Sequence, residues 1–318
     1  MSVTFVTALY DLKAEDGKNR RDIASYIEFG VKYTLSLKCP LVIFTEDKLF
    51  TTIHDHRKKI DQLENTFIIV RPFNELFWNQ HRQLMNDNQA LLPVNCYNVD
   101  KDTVPYHILN WSKLSLVHDA SKVNFWKSTH FAWIDFGLAH VAVYTDPDAL
   151  VKNIVKTSKM KMLEMSHPCS LEVASKNYLM CERGKVCGGF MTIPVDSIKQ
   201  MTDHFFEQGM ACLKSRLITT DQMIFSMMIY HHPDLFELYY GDYSSLLVNY
   251  GEITQDVPVI IHFNVEHCLK LRDIAHAQAV AKRLLAAYQS GNIVLTQNYV
   301  DSLSNLVEPK NNIKLITK

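Results

Sequence analysis

The chain has 318 residues, 47% of them hydrophobic and 21% charged, and Lys+Arg 33 against Asp+Glu 34 leaves a net charge of -1. That length buries a substantial core, and the composition excludes a disordered or fibrous chain. Near-neutral charge argues against broad electrostatic binding of nucleic acid, and no run approaches the roughly 18 apolar residues of a membrane span.

Residues 3–9 form a β-rich run at the very start, followed by a polar loop around Gly17. Beyond Arg20 the apolar residues fall at Ile23, Tyr26, Ile27, Val31 and Leu35, a helical spacing that Cys39-Pro40 stops. Buried strands are predicted at 41–44 and 67–70, and helices over 73–90 and 106–117, the second carrying Lys113. Alternating strand and helix predicts an α/β fold: a mostly parallel central sheet with helices on both faces. Residues 131–134 read as another buried strand, running directly into Asp135 and then Gly137. Such a strand delivers a carboxylate to the carboxyl edge of the sheet, where the backbone bends and a ligand can approach.

Further on, Thr145-Asp146-Pro147-Asp148 is a helix start, and 156–161 reads as a basic loop. Strands are predicted at 170–180 and 186–193, joined by a turn at Glu182-Arg183-Gly184-Lys185. The adjacent pair Gly188-Gly189 inside the second predicts a bulge or a positive φ where a ligand presses on the backbone. Pro194 opens a helix, and Thr219-Thr220-Asp221-Gln222 opens another, apolar nearly all round and therefore buried. Residues 257–261 read as the last buried strand, delivering His262 at its end. A helical tail from about residue 266 follows, and no linker divides the chain, so one domain over 1–318 is expected.

The seven cysteines are odd in number and scattered. Cys181 and Cys187 have no second pair at zinc-finger spacing, so free thiols in a reducing compartment are expected rather than structural zinc. The start lacks a cationic flank and a long apolar run; with no signal peptide read, a cytoplasmic protein is expected.

Asp135 and His262 both follow predicted buried strands, so in a parallel sheet both emerge on one edge. Carboxylate with imidazole suits Mn²⁺ or Mg²⁺, with water and a phosphate completing the shell. Asp221 opens a buried helix, where stabilising the helix N-terminus is as good a role as chemistry. Lys113, Lys127 and the Arg20/Arg21 pair are available to offset the charge of a diphosphate. Asp135-Phe136-Gly137 also spells the metal-binding tripeptide of protein kinases, but the glycine-rich loop, strand lysine and His-Arg-Asp loop are missing. A Walker loop and a Gly-x-Gly-x-x-Gly fingerprint are missing too.

The opening Thr4-Phe-Val-Thr-Ala-Leu-Tyr-Asp-Leu, Arg20/Arg21 with Tyr26 and Phe29, Trp133-Ile-Asp135-Phe-Gly and Tyr239-Tyr-Gly-Asp242-Tyr together resemble the HtrL/YibB (WlaTC) family, which is regarded as glycosyltransferase-like. The order of parts is similar more broadly to GT-A glycosyltransferases. That resemblance implies a first strand that holds the nucleotide, an acidic motif ending a mid-chain strand, a glycine-containing acceptor-side strand, a late acidic residue and a histidine completing a metal site. Those roles fall on Val6-Thr7-Ala8, Asp135, Gly188-Gly189, Asp221 and His262. Gly137 stands where the usual motif has its second aspartate. The implied function is transfer of a sugar from a nucleotide-sugar donor to a glycan or glycoconjugate, assisted by a divalent metal. Asp221 is the expected catalytic residue and Asp135 and His262 the metal ligands. Thr7, Ala8, Arg20, Arg21, Lys113, Asp135, Gly137, Gly188 and Gly189 would bind the donor. The alternatives are a non-catalytic carbohydrate- or protein-binding relative, and a nucleotidyltransferase.

Overall fold

A computed structural model describes residues 2–17, 22–93, 98–167, 185–254 and 258–308, without the side chains of 258–260. Seven strands form one sheet in the order β3-β2-β1-β4-β6-β5-β7. They are β1 Val3–Leu9, β2 Leu41–Thr45, β3 Thr66–Val70, β4 His130–Ile134, β5 Met160–Glu164, β6 Val186–Pro194 and β7 Phe236–Tyr240. Every pairing is parallel except those of β6, which runs against both β4 and β5. The helices are α1 Leu12–Asp16, α2 Ile23–Lys32, α3 Asp47–Lys59, α4 Arg82–Gln89, α5 Val104–Trp111 and α6 Lys113–Val123. Beyond them lie α7 Pro147–Ile154, α8 Ile198–Lys214, α9 Asp221–His231, α10 Pro258–Lys270, α11 Ile274–Gln289 and α12 Gln297–Val307. None of the described helices is long and apolar enough to cross a membrane.

The central strand β1 is buried along its whole length, which is why its sequence is a continuous run rather than an alternating one. Its pleat sends Val6 and Ala8 to one face, where they join Trp111, Leu114, Phe205 and Phe225 from α5, α6, α8 and α9. Phe5 and Leu9 point the other way, to Leu49 and Ile53 of α3 and Leu150 and Ile154 of α7. A third cluster joins Tyr240 and Ile253 to α10, α11 and α12. Helix starts follow their capping residues. Asp146 accepts from the Asp148 and Ala149 amides with Pro147 at the first helical position, as expected from the sequence.

Four predicted strands, at the positions of β1 to β4, lie in the sheet, but β3, expected to be buried, is an edge strand with Phe67 and Val70 exposed. The predicted strand at 257–261 does not: Pro258 opens α10 instead. Its β-branched run reads as strand by composition, but Ile261, Val265 and Cys268 recur at helical spacing and are all buried. The stretch read as a basic loop contains the start of β5. There Lys161 is carried inside the sheet by an ion pair to Glu237 at 2.7 Å and by the Tyr250 ring 4.7 Å away. The predicted helix over 73–90 is two short 3₁₀ turns, Phe73–Glu75 and Phe77–His81, before α4. That over 106–117 is broken at Ser112 into α5 and α6. The residues after Pro194 form a 3₁₀ turn, Val195–Ser197, before α8 begins. The predicted strand at 170–180 and its turn lie outside the described residues, apart from Lys185.

Candidate functional site

A cleft of about 410 Å³ opens at the carboxyl edge of the parallel strands. β1 contributes Ala8 and Leu9, with Tyr10 and Asp11 beyond it. Trp133 of β4 is followed there by Asp135, Phe136 and Gly137. Because β6 runs backwards, its first residues, Cys187, Gly188 and Gly189, reach the same edge. Tyr106 and Lys113 come from α5 and α6, Asp221 and Gln222 from α9, and Tyr243 from the loop after β7. This is where ligands enter open α/β sheets.

The floor is an ion triad. Lys113 Nζ lies 2.9 Å from Asp221 Oδ2 and 3.1 Å from Asp135 Oδ1, and it donates to the Gly188 carbonyl at 3.0 Å. Two of its protons are hydrogen-bonded, to Asp221 and Gly188, and the contact with Asp135 is an ion pair. Burial alone would push this ammonium down; the Asp135 and Asp221 carboxylates outweigh that and hold it above its ordinary range. Lys113 and Asp221 side chains are each 4% exposed, whereas Asp135 is 40% exposed. Trp133 Nε1 donates to Asp135 Oδ1 at 2.7 Å, so that oxygen is held from two sides. Asp135 Oδ2 accepts no hydrogen bond among the described residues.

The glycine pair explains how the triad fits. The β5–β6 register jumps between Met162, opposite Met191, and Leu163, opposite Cys187, so Gly188 and Gly189 sit in a bulge. The expected bulge is present, while neither glycine has a positive φ. The bulge turns the Gly188 carbonyl to Lys113 and the Gly189 carbonyl to the Asp135 amide, 2.8 Å away. A Cβ on Gly188 would collide with Asp221 Oδ2, and one on Gly189 would stand 3.2 Å from Leu138 and 3.5 Å from Asp135 Oδ2. The pair therefore makes room first for the protein's own carboxylates.

Of the expected site residues, Ala8, Lys113, Asp135, Gly137, Gly188, Gly189 and Asp221 line the cleft. Thr7 is fully buried one residue below it, on the β1 face that carries Phe5 and Leu9. Arg20 and Arg21 lie outside the described residues. His262 is on α10, its ring packed against Tyr299 of α12 at 4.4 Å, and it does not line the cleft. The reason is that 258–261 belongs to α10 and so delivers nothing to the sheet edge. Lys127 is exposed in the turn before β4, at the opposite end of the strand from Asp135. Tyr106, Trp133, Gln222 and Tyr243 had no assigned role, nor did the rim lysines Lys13 and Lys101. Trp133 and Tyr243 stand inside stretches that carry the family resemblance; for the lysines the sequence held no signal. Tyr243 exchanges hydrogen bonds with Gln222 at 2.8 and 3.3 Å, and burial pushes its phenol up to about 12. Burial also pushes the Cys187 thiol up to about 12, so no thiolate nucleophile is available there.

The donor set does not fit a divalent ion held by the protein. Lys113 already supplies the cation between the two carboxylates, and His262 is elsewhere. Gly137 replaces a second acidic side chain, and a Cβ there would stand 3.0 Å from the Tyr26 ring.

The family model that matches residues 1–250 is described as "Bacterial protein of unknown function (HtrL_YibB)". The chain belongs to that family, as its motifs suggested. Among curated proteins, Protein HtrL of Escherichia coli (strain K12) is 22% identical over 252 residues, 75% of this chain and 88% of that one. Among solved structures, apo mouse xyloside xylosyltransferase 1 superposes with a TM-score of 0.44 at 11% identity, covering 75% of this chain and 85% of that one. The 4-diphosphocytidyl-2C-methyl-D-erythritol synthase of Anaerococcus prevotii DSM 20548 gives 0.37 at 10%, covering 83% and 95%.

Proposed function

We propose that the cleft holds a nucleotide-sugar donor and that the chain transfers its sugar to a hydroxyl of a glycan or glycoconjugate. The observation that carries this reading is the Asp135 carboxylate. One oxygen is fixed by Lys113 and Trp133, and the other is unengaged beside an open cleft at the end of β4. In the transfer, the bond from the anomeric carbon to the phosphate oxygen breaks and a bond to the acceptor oxygen forms. The acceptor proton passes to Asp135 Oδ2. Asp221, expected as the group acting on the acceptor, is instead a positioning residue: buried, it holds Lys113, which aims Asp135. The charge left on the diphosphate is met by Lys13 and Lys101 at the rim, with the protonated Tyr106 and Tyr243 phenols as hydrogen-bond donors. No step is routed through a metal, because the residues do not build a site for one.

A thermal-shift panel of UDP, GDP, CMP and TDP, their sugar conjugates and nucleoside triphosphates, each with and without Mn²⁺, tests the reading. Stabilisation by one diphosphate nucleotide and its sugar, unchanged by Mn²⁺, is the expected result. A preference for triphosphates points instead to nucleotidyl transfer. Gly137 in place of the second carboxylate favours one rival, a non-catalytic binding relative. Silence across the whole panel would support that rival and end the transferase reading.

A further inference from the structure

A second polar cluster lies apart from the cleft, where β5 ends. Glu164 is fully buried; its Oε1 accepts from Asn264 Nδ2 and faces His276 Nε2, both at 2.7 Å. Its Oε2 is buried without a hydrogen-bond partner among the described residues. His167, just beyond β5, places its Nε2 2.9 Å from Asp273 Oδ2, while its Nδ1 is buried and unpartnered among the described residues. The His167 and His276 rings stack 4.0 Å apart. Cys268 is fully buried and free, with Sγ 3.6 Å from Asn264 Oδ1. One ring nitrogen of each histidine and the Cys268 sulfur all lie within 4.8 Å of one another.

We propose that His167, Cys268 and His276, with Glu164 orienting the His276 ring, bind one divalent transition-metal ion of the zinc class. Two imidazoles and a thiolate are a borderline-soft set of the kind zinc selects over magnesium or calcium. Each imidazole has its Nε2 at a carboxylate, Asp273 or Glu164, the arrangement that orients a metal-bound histidine and leaves Nδ1 as the donor. The two orphaned atoms, Glu164 Oε2 and His167 Nδ1, are both acceptors when the outer nitrogen carries the proton. A cation bound at His167 Nδ1 satisfies that atom, and its charge, relayed through the His276 ring, favours the buried Glu164 carboxylate. Tetrahedral geometry at zinc bond lengths requires ligand separations of about 3.3–3.7 Å. Loading therefore draws the donors together by roughly 1 Å and turns the stacked rings. The ion is thus held from three elements, with a water in the fourth position. It ties α10 and α11 to the end of β5. None of these residues lines the cleft.

The test uses the full chain, stripped with chelator and titrated with Co²⁺ and then Zn²⁺. One equivalent of cobalt should bind with a thiolate-to-metal charge-transfer band and tetrahedral ligand-field absorption, and zinc should displace it. Zinc should also raise the melting temperature. Cys268→Ser should abolish the charge-transfer band while Cys39→Ser keeps it, and Asp273→Asn should weaken affinity by about 10–100-fold through the His167 ring. Should Cys268→Ser fail to fold, His276→Gln supplies the same comparison through loss of tetrahedral absorption. Failure of the stripped wild type to take up either metal overturns the proposal. So does a charge-transfer band that survives Cys268→Ser, or affinity untouched in both His276→Gln and Asp273→Asn.

Discussion

Lys113 sits at the first position of α6, where a cation opposes the helix dipole, and it does so buried. Two carboxylates offset both costs, and a residue placed against its local preference in this way marks a functional site. Removing the cation alone strands Asp221 in the interior. Lys113→Met should therefore destabilise the chain by about 3–5 kcal/mol, and Lys113→Met with Asp221→Asn should recover much of that. Chemical denaturation measures both, and a single variant as stable as the wild type would refute the coupling. The glycines separate in the same assay. Gly188→Ala forces Asp221 off Lys113 and should cost about 1–3 kcal/mol, whereas Gly189→Ala presses on the methyl ends of Leu138 and Leu246, with Asp135 Oδ2 at ordinary contact distance, and should cost less than about 1 kcal/mol. Equal losses would contradict this. Asp135, Asp221 and the glycine pair were legible because each interrupts an apolar run. Their engagement with Lys113 was not, because an ion pair across 108 positions leaves no local pattern.

At the scale of elements, continuous apolar runs revealed β1, β2 and β4 and also the half-exposed edge strand β3, and the reading failed where composition imitated a strand. In α10 the β-branched run hid a helix whose Pro258 start was readable in hindsight. β5 was missed because its lysines suggested solvent, and no sequence rule announces the Glu237 and Tyr250 that accommodate Lys161. The metal cluster escaped for a related reason. Cysteine spacing detects sites built on one hairpin, whereas Glu164, His167, Cys268 and His276 meet only through the tertiary fold. Elsewhere, a buried arginine stitches elements together. Arg57 of α3 is fully buried and donates to the Leu35 and Leu37 carbonyls at 2.8 and 2.6 Å and to Thr66 of β3 at 2.7 Å. Arg57→Met keeps most of the volume but leaves these acceptors unmet, at roughly 1–3 kcal/mol per group. A loss of at least about 2 kcal/mol on denaturation is expected; an unchanged midpoint would mean that water replaces the guanidinium.

For the molecule as a whole, stability should depend on pH through half-buried imidazoles held neutral. Burial lowers the pKa of His56 and His81 from the ordinary 6.5, and the Nε2 of each is enclosed without a hydrogen-bond partner among the described residues. A folded-state value below the unfolded one means that the unfolded chain binds protons first as pH falls. Their contribution is complete above 6.5 and is lost as pH drops through the folded values, so melting temperatures should decline from pH 7 towards 5. A flat profile would show these rings to be solvated. The α/β plan itself was legible from its first four strands, and the resemblance implied the family to which the chain belongs. The cleft's geometry needed the reversed strand β6, whose direction no sequence pattern gave. The central claim is that Asp135 takes the acceptor proton during sugar transfer. Its most direct test is steady-state release of nucleoside diphosphate from the nucleotide-sugar that stabilises the chain, compared between wild type and Asp135→Asn. The account predicts turnover that falls by about 10²–10⁴-fold in the variant with the fold intact. Asp135→Asn turning over at the wild-type rate, or no release from any stabilising donor, would contradict it.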